Sequence, residues 1–580
     1  MSHALFDFPG ASRLRFSRPR QIIEARSLDE VRPALDEVAA AAARGAWAAG
    51  FVAYEAAPAF DAALVTREPT GPAPLAWFAI CDGPDTDEAA APGTGARLHW
   101  RTPTPRSAYD AAIREIRERI AAGDVYQVNH TLRFCAGPPA ATPGALYTDL
   151  VAARHGRYHA LLEDDGWAVV SASPELFFQL EGRQLTTRPM KGTSRRGRWL
   201  AEDRAAAACL RESPKDRAEN LMIVDLLRND LGRIARFGSV QVPRLFDVET
   251  YPSVHQLTST VTGELRPDVT LGDIFAAMFP CGSVTGAPKV TAMRAIAELE
   301  DTPRGPYCGA VGLVRPGGDA TFNVAIRTVT MDTRRGTATY GTGGGITWDS
   351  RADAEYDEAV AKAGLLTETL PPFRLLETMR MDSGVIVRLD RHLQRLRDSA
   401  AYWQFPEATA AAAATALAAT AERCPTGSMR VRLTAGSDGD IQVETSPLNG
   451  ASDTPPTFAI ARRAVSAADR LLAHKTTARA VYDERRADFP DAFDVLLFND
   501  EGMATEFTFG NLVVSLDGRL LTPPRSDGLL AGTCRQELLD EAVIAEAHIR
   551  LADVRRADAV FHVNSVRGVT RVVPMSVSGS

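Results

Sequence analysis

A chain of 580 residues that is 45% apolar and 24% charged is globular and long enough for several domains. Its formal net charge of -8, with basic residues scattered along the chain, leaves no electrostatic footprint for nucleic acid and fits small-molecule chemistry better. Seven cysteines without a CxxC pair argue against a disulfide framework or a cysteine zinc site. The N-terminus lacks the apolar core of a signal peptide, and no run of about 18 apolar residues is available to span a bilayer. These features predict a protein of the reducing cytoplasm with neither a nucleic-acid nor a membrane partner.

In chain order, residues 85 to 106 (PDTDEAAAPGTGARLHWRTPTP) read as a loop joining an N-terminal lobe, residues 1 to about 100, to a stretch dense in structural signals. SAYDAAIREIRERIAAGDVYQVN spaces Ile113, Ile116 and Ile120 at helical intervals behind Ser107 as N-cap and breaks at Gly123-Asp124, predicting a helix that leads into a strand. WAVVSASPELFFQLEGRQLTTRPMKGT predicts two strands joined at Glu181-Gly182-Arg183, with Lys191 just past the second. AENLMIVDLLRNDLGR, 218 to 233, predicts a helix whose face through Glu219, Met222, Ile223 and Leu226 is apolar except at its first position; Asp216 reads as a helix-start residue. PCGSVTGAPK at 280 to 289, with Gly282 and Gly286 around Ser283 and Thr285, reads as a loop whose backbone N–H groups can approach an anion, and TGGG at 342 to 345 offers the same. EYDEAVAKAGLL at 355 to 366 sets Glu355, Glu358 and Lys362 on one helical face. Two acid-bearing helices match the one or two protein carboxylates that Mg2+ commonly takes, although each alone is equally an ordinary charged helix face.

Leu370-Pro371-Pro372 marks the main domain boundary, near residue 371. FRLLETMRMDSGVIV at 373 to 387 reads as a new hairpin. RLDRHLQRLRDSA at 388 to 400 reads as a helix with Leu389, His392 or Leu393, and Leu396 on one face and Arg395 at its edge, and ATAAAAATALAAT at 408 to 420 as a plain alanine helix. Lys475 in LLAHKTTARAVYDE, Glu506 in GMATEFTFGNLVV, and Thr533 and Cys534 in GLLAGTCR are each unremarkable alone.

In combination they are not. GDVYQVN, SPELFF, RPMKGT, AENLMIVDLLRNDLGR, the histidine of SVHQL, GSVTGAPK, the YCGAVG and AIRT pair, TGGGIT and EYDEAVAKA follow the order of the chorismate-utilising enzyme family over roughly 105 to 370, with GFVAYEAAP at 50 to 58 agreeing. The resemblance implies an α+β fold of large antiparallel sheets flanked by helices over 1–370. Within that family PMKGT resembles the PIKGT of members that aminate chorismate at C4, where anthranilate-forming members carry alanine. It implies that Lys191 attacks C2 as the C4 hydroxyl leaves, assisted by Glu175 as acid, and that ammonia then adds at C4 and displaces the lysine. By the same resemblance Glu219 and Glu358 hold Mg2+ with Glu355 behind them, and His255, Ser283, Thr285, Tyr307, Arg327 and Gly343 line the chorismate site. Such a lysine must be neutral, whereas an ordinary one is neutral in about one copy in 2,500 at pH 7. Desolvation or nearby cations must lower its pKa, and Arg188 and the Arg195-Arg196-Arg198 cluster are the cations close in sequence.

From about 374 to 573 the order and spacing resemble the class IV pyridoxal-phosphate enzymes. This implies a D-amino-acid aminotransferase-like α+β domain over 371–580 with pyridoxal 5'-phosphate (PLP) as cofactor. Lys475 then corresponds to the Schiff-base lysine, Glu506 to the carboxylate facing the pyridine nitrogen, and Arg395 to the phosphate-binding arginine. Backbone groups of Thr533, Cys534, Ser565 and Val566 complete the phosphate cradle. Two departures stand out: Cys534 replaces the commoner threonine, and the strand that ordinarily precedes the LLET hairpin is missing. The domain is therefore expected to borrow an edge from the first domain or from a partner, a homodimer included.

Together the halves imply a bifunctional 4-aminobenzoate synthesis on the route to folate. Chorismate and ammonia give 4-amino-4-deoxychorismate, and elimination then gives 4-aminobenzoate and pyruvate. No GxCxG-like elbow occurs in the sequence, so use of glutamine is expected to require a separate amidotransferase subunit. The alternatives are anthranilate synthesis fused to a class IV aminotransferase, or a degenerate, non-catalytic C-terminal half.

Overall fold

The computed structural model describes residues 3–9, 13–85, 98–137, 141–152, 156–364, 371–448 and 454–575. Most of the loop read at 85 to 106, and the end of the helix read at 355 to 366, lie outside these residues. The chain divides into two compact units, Met1–Arg196 with Ala207–Leu370, and Gly197–Ala206 with Pro371–Ser580.

Central strands of the first unit are apolar on both faces, and this dictates a layered fold. In Trp47–Val52 and Ala76–Cys81 nearly every residue is buried. Ala49, Phe51, Trp77 and Ala79 enter one apolar cluster, and Ala48, Val52, Phe78 and Ile80 enter another. Successive side chains alternate across a sheet, so such strands need cover on both sides. One sheet has eight strands in the order Gly286–Ala287, Gln127–Ala136, Thr337–Ile346, Thr328–Asp332, Trp167–Ser173, Tyr158–Asp164, His3–Asp7, Leu14–Phe16. The other, of ten, runs Met190–Arg195, Val254–Glu264, Gln184–Arg188, Leu176–Glu181, Ala320–Val324, Ala310–Val314, Trp47–Val52, Ala76–Cys81, Gln21–Ala25, with Gln241–Thr250 also paired to Val254–Glu264. Phe6, Leu162 and Val169 of the first sheet meet Phe51, Trp77 and Leu313 of the second in a shared core. Helices Leu28–Ala43, Pro214–Gly232 and Leu271–Met278 cover the outer face of the ten-stranded sheet, and Arg106–Ala122, Pro143–Ala152, Lys289–Leu299 and Ala352–Gly364 that of the other. Residues read as an N-terminal lobe supply strands to both sheets and belong to this one body.

Several local expectations shift. The helix placed behind Ser107 starts at Arg106 with Pro105 as N-cap, and ends as expected at Gly123, whose φ of 84° suits glycine. The segment read as two strands makes four, because the chain also breaks at Pro174 and Pro189, which lack a ladder N–H; Lys191 lies inside the last strand, Met190–Arg195. Helix Pro214–Gly232 buries Asn220, Ile223, Val224, Leu227 and Leu231, a face turned one residue from the expected one, so Glu219 stands at its margin. Ser213 caps that helix by accepting from Asp216 N–H at 3.3 Å, which places Asp216 in the first turn as expected.

In the second unit a four-stranded sheet runs Val385–Ile386, Leu375–Asp382, Ser428–Ala435, Ile441–Pro447, and packs against helices Leu389–Tyr402 and Thr409–Arg423. An eight-stranded sheet runs Ala504–Phe507, Asp494–Phe498, Thr457–Ile460, Gly568–Pro574, Ala559–Asn564, Asn511–Leu516, Arg519–Thr522, Ala545–Glu546, and pairing of Ala504–Phe507 with Asn511–Leu516 closes six of these strands into a ring. The expected hairpin turns at Ser383-Gly384, both at positive φ. Near its start, Leu376 N–H donates to Lys475 O and Thr477 N–H to Arg374 O, each at 2.9 Å, so the lysine segment itself meets the LLET strand. Gly197–Ala206 belongs to this unit: Tyr402 Oη donates to Gly197 O at 2.7 Å, and Arg198 donates to Ser526 O at 2.8 Å. Among the described residues no helix is long and apolar enough to cross a membrane.

Candidate active sites

Met190–Arg195 pairs with Val254–Glu264 through a register shift between Met190 and Thr193, an irregularity that re-aims the side chain within it. Gly192, at φ 96°, permits the shift, and a Cβ there would lie 2.9 Å from Asp216 Cβ. Buried Asn220 clamps it: Nδ2 donates to Lys191 O at 3.3 Å and to Leu257 O at 3.2 Å, and Oδ1 accepts from Ser259 Oγ at 2.6 Å. Lys191 Nζ then lies beside Gly345 and Gln127; a Cβ on Gly345 would fall 2.5 Å from Nζ and against Gln127 Nε2. Gln127 is wholly buried, yet neither amide atom has a hydrogen-bond partner. Two orphaned polar atoms beside an amine mark a place for a polar ligand.

TGGG is therefore a stretch of strand, not a turn: in Thr337–Ile346, Gly343 faces Thr131, Gly344 faces His130 and Gly345 faces Asn129. Missing side chains here make room, since a Cβ on Gly343 would strike His130 O and one on Gly344 would lie 3.1 Å from Glu355 Oε2. Gly282 and Gly286 likewise serve packing, against Leu226 and Gln127 O. Ser283 Oγ donates to Cys281 Sγ and Thr285 Oγ1 to Cys281 O, both at 3.2 Å, and the Ser283 side chain also hydrogen-bonds the Glu175 carboxyl.

Burial pushes Lys191 below the ordinary lysine pKa; Glu219 opposes this and Lys362 adds to it. Lys362 is fixed by Glu358 at 2.7 Å and Gly343 O at 2.8 Å. The arginines near in sequence are engaged elsewhere: Arg188 with Glu249 at 3.1 Å, Arg196 with Tyr251 O at 3.0 Å, Arg198 with Glu202 at 3.0 Å. Arg195 is exposed. A lysine distant in sequence thus takes the role expected of them. Glu175, just past the Pro174 break, is 2% exposed with Oε1 unpartnered, and burial raises its pKa to about 7. Burial also raises Glu219 and Glu355, whereas Lys362 draws Glu358 down. Among the described residues no three His, Cys, Asp or Glu side chains gather as a metal centre. Glu219 and Glu358 both bear on Lys191, and Glu355 on Glu219.

The remaining expected residues have partners of their own. His255 is buried with Nδ1 3.1 Å from Thr250 Oγ1, and Arg327, at φ 50°, lies over the Tyr251 ring at 5.7 Å. Tyr307 lies under the Arg133 guanidinium at 5.1 Å, beside a buried network in which Arg304 reaches Glu300 at 2.6 Å. Glu55 of GFVAYEAAP accepts from Arg304 N–H at 2.6 Å and Gly305 N–H at 2.7 Å, which explains that motif as a loop anchor.

In the second unit burial lowers Lys475 to about 8, with Arg395 and Arg479 pushing the same way. Glu506 is raised by burial to about 7; Tyr482 Oη donates to it at 2.8 Å and Asn511 Nδ2 at 3.3 Å. Asn511 Nδ2 also reaches Leu530 O at 2.8 Å, tying the carboxylate to the GLLAGT loop. Arg395 grips Glu377 with Nε at 2.8 Å and Nη2 at 2.5 Å and donates from Nη1 to Ala531 O at 3.2 Å. A guanidinium has five donors, so it keeps spare N–H groups. Glu377 is held at about 2, since Arg395 and His392 outweigh its burial. His392 bridges Glu377 at 2.6 Å to Ser565 Oγ at 2.7 Å and Thr533 Oγ1 at 3.2 Å. Thr533 opens the helix Thr533–Asp540, and Cys534 packs with Val513, Ile544 and Val563. Val566 N–H is committed to Asn564 Oδ1 at 3.1 Å.

Gln127, Asn220, Glu377, Tyr482 and Asn511 carry no expected role in the sequence, and His392 was open as a mere core position. The one signal available was His392 and Arg395 at i, i+3 on a single helix.

A family model for chorismate binding enzyme matches residues 5–368, and one for amino-transferase class IV matches 374–574. Aminodeoxychorismate synthase component 1 of Escherichia coli (strain K12) is 41% identical over 271 residues, 47% of this chain and 59% of that protein. Anthranilate synthase component 1 3 of Haloarcula marismortui is 39% identical over 277 residues, 47% of this chain and 54% of that protein. The chain thus spans little more than half the length of these curated relatives. The crystal structure of anthranilate synthase component I from Streptococcus pneumoniae TIGR4, 27% identical, covers 63% of this chain and 90% of its own with a TM-score of 0.53. With its two antiparallel sheets and helical covers, the chain belongs to the chorismate binding enzyme family and carries a class IV amino-transferase domain behind that fold.

Proposed function

We propose that the first unit converts chorismate and ammonia into 4-amino-4-deoxychorismate and that the second eliminates pyruvate from this product to leave 4-aminobenzoate. The observation that carries the reading is the pairing of Lys191, a half-buried amine with a depressed pKa, with Glu175, a buried carboxyl raised to about 7. Burial pushes both groups toward their neutral forms, the amine from above and the acid from below, which favours a free amine for attack and a protonated acid for the leaving hydroxyl. Lys191 Nζ bonds to C2 while the ring electrons shift and the C4–O bond breaks, and Glu175 gives its proton to the hydroxyl, which leaves as water. Ammonia then bonds to C4, the C2–N bond to Lys191 breaks, and the proton shed by ammonia returns to Glu175. The unpaired Gln127 amide offers that ammonia a hydrogen-bond partner. Glu219 and Glu358, with Glu355 behind them, would hold Mg2+, which when bound neutralises a substrate carboxylate.

PLP fits the second unit by its donor set: an amine at about 8, a buried acid backed by Tyr482, and an arginine with spare donors beside Thr533 and Ser565. When bound it supplies an electron sink. Lys475 is the base that takes the C4 proton as enolpyruvate departs and the ring becomes aromatic, and Glu506 is the carboxylate that would keep the pyridine nitrogen protonated. The test is to incubate the purified chain with chorismate, ammonium, Mg2+ and PLP and identify the products. Equal amounts of 4-aminobenzoate and pyruvate are expected. Anthranilate would replace the first assignment, and accumulating 4-amino-4-deoxychorismate would make the second unit non-catalytic.

A further inference from the structure

We infer that anion binding in the second unit is coupled to protonation of His392, which acts as a positioning residue through the hydroxyl of Ser565. This deepens the reading above, and rests on Arg395, Thr533 and Ser565 being an anion cradle. His392 is 1% exposed, with Nδ1 2.6 Å from Glu377 Oε2 and Nε2 2.7 Å from Ser565 Oγ and 3.2 Å from Thr533 Oγ1. Both oxygens of Glu377 are gripped by Arg395, so the carboxylate is ionised and can only accept; Nδ1 therefore carries a proton and donates. In the neutral ring this fixes the tautomer and leaves the lone pair on Nε2.

Ser565 then points its O–H at Nε2 and presents only lone pairs to a ligand, which an anion repels. A proton on Nε2 reverses this: N–H donates to Ser565 Oγ, and the serine proton turns toward the anion. The charged groups that bear on His392 are Glu377 on the strand Leu375–Asp382, Arg395 on its own helix and Lys475. Burial and the two cations disfavour the imidazolium, and Glu377 favours it. A dianion arriving at the hydroxyls tips the balance, so a proton enters with it. By linkage, affinity for the dianion should fall as pH rises, approaching about tenfold per pH unit.

The test uses the full-length protein, freed of cofactor, titrated calorimetrically with inorganic phosphate at about pH 8, where phosphate is a dianion. Inorganic phosphate is the probe because it cannot condense with Lys475. Two buffers of different ionisation enthalpy count the protons exchanged. Net uptake approaching one proton per site is expected in the parent, and none in His392→Gln, whose amide N–H can serve Ser565 without titrating. Ser565→Ala removes no buried charge, so it keeps the test open if His392→Gln folds poorly; it should bind phosphate with sharply reduced uptake. Parent binding without uptake, or full uptake persisting in either variant, overturns the coupling and leaves the cradle intact. No phosphate binding at all removes the cradle assignment, and the coupling with it.

Discussion

Lys191 and Glu175 show how burial sets the chemistry of single residues. An exposed lysine is charged and an exposed glutamate ionised at pH 7, the reverse of the states that attack and leaving-group protonation need. Lys191→Ala should abolish 4-aminobenzoate formation from chorismate and ammonium, while added 4-amino-4-deoxychorismate is still converted; undiminished synthesis would take the lysine out of the mechanism. For Glu175 the folded pKa of about 7 lies above the unfolded value of about 4.3, so the unfolded chain releases its proton first as pH rises. Stability is therefore lost between those values and level above them, by up to about 4 kcal/mol. Glu175→Gln cannot ionise: it should lack the first activity, yet melt higher than the parent near pH 8 and close to it near pH 5. Calorimetric scans at the two pH values decide this, and a variant that melts lower at both would show that burial does not strain the carboxyl. The lysine was singled out in the sequence by the resemblance of PMKGT to PIKGT. Its electrostatic partner was not, because Lys362 comes from a helix far along the chain and only folding brings the two together.

At the level of elements, the site is made by strands that depart from regularity. The register shift holding Lys191 requires Gly192, and the glycines of Thr337–Ile346 clear the space that the lysine and Glu355 occupy. Glycine runs read locally as turns, and only pairing with Gln127–Ala136 turns TGGG into a strand whose missing side chains leave room for Glu355 and Lys191. Period-two patterning did reveal strands on either side of the Gly182 turn, whereas the breaks at Pro174 and Pro189 depended on ladder donors that a hydrophobic pattern does not register. Gly345→Ala should therefore act as a positional lesion. Its Cβ would fall 2.5 Å from Lys191 Nζ, and a displacement of about 1 Å of a catalytic group can cost about 100-fold in rate. Gly344→Ala meets only the far end of the Glu355 side chain, at 3.1 Å, and should be milder. Steady-state rates of the first reaction, with the second as folding control, test this; equal losses in the two variants would count against the crowding argument.

For the whole molecule, two units with separate amines predict separable reactions. Lys475→Ala should let 4-amino-4-deoxychorismate accumulate while chorismate is still consumed, and parent-rate 4-aminobenzoate would remove PLP chemistry from the second unit. The capture of Gly197–Ala206 by the second unit was not visible in the sequence, since Arg198 finds its carbonyl partners only in three dimensions. The nitrogen source is the last consequence. A glutaminase cysteine attacks as the thiolate and sits in an accessible, electropositive place that lowers its pKa. Cys281 and Cys308 are buried, and burial pushes their thiols up to about 12 and about 11. Cys534 is sealed in an apolar cluster that also raises it. None of the three can supply an attacking thiolate at neutral pH, and no cysteine of the chain sits in a GxCxG-like elbow. The purified chain is expected to use ammonium and not glutamine, and to gain glutamine-dependent synthesis when a separate amidotransferase subunit is added. Comparing the two nitrogen sources at matched concentration, with protein freed of host glutaminase, checks this; robust glutamine-dependent 4-aminobenzoate formation by the chain alone would mean that it carries its own ammonia-releasing site.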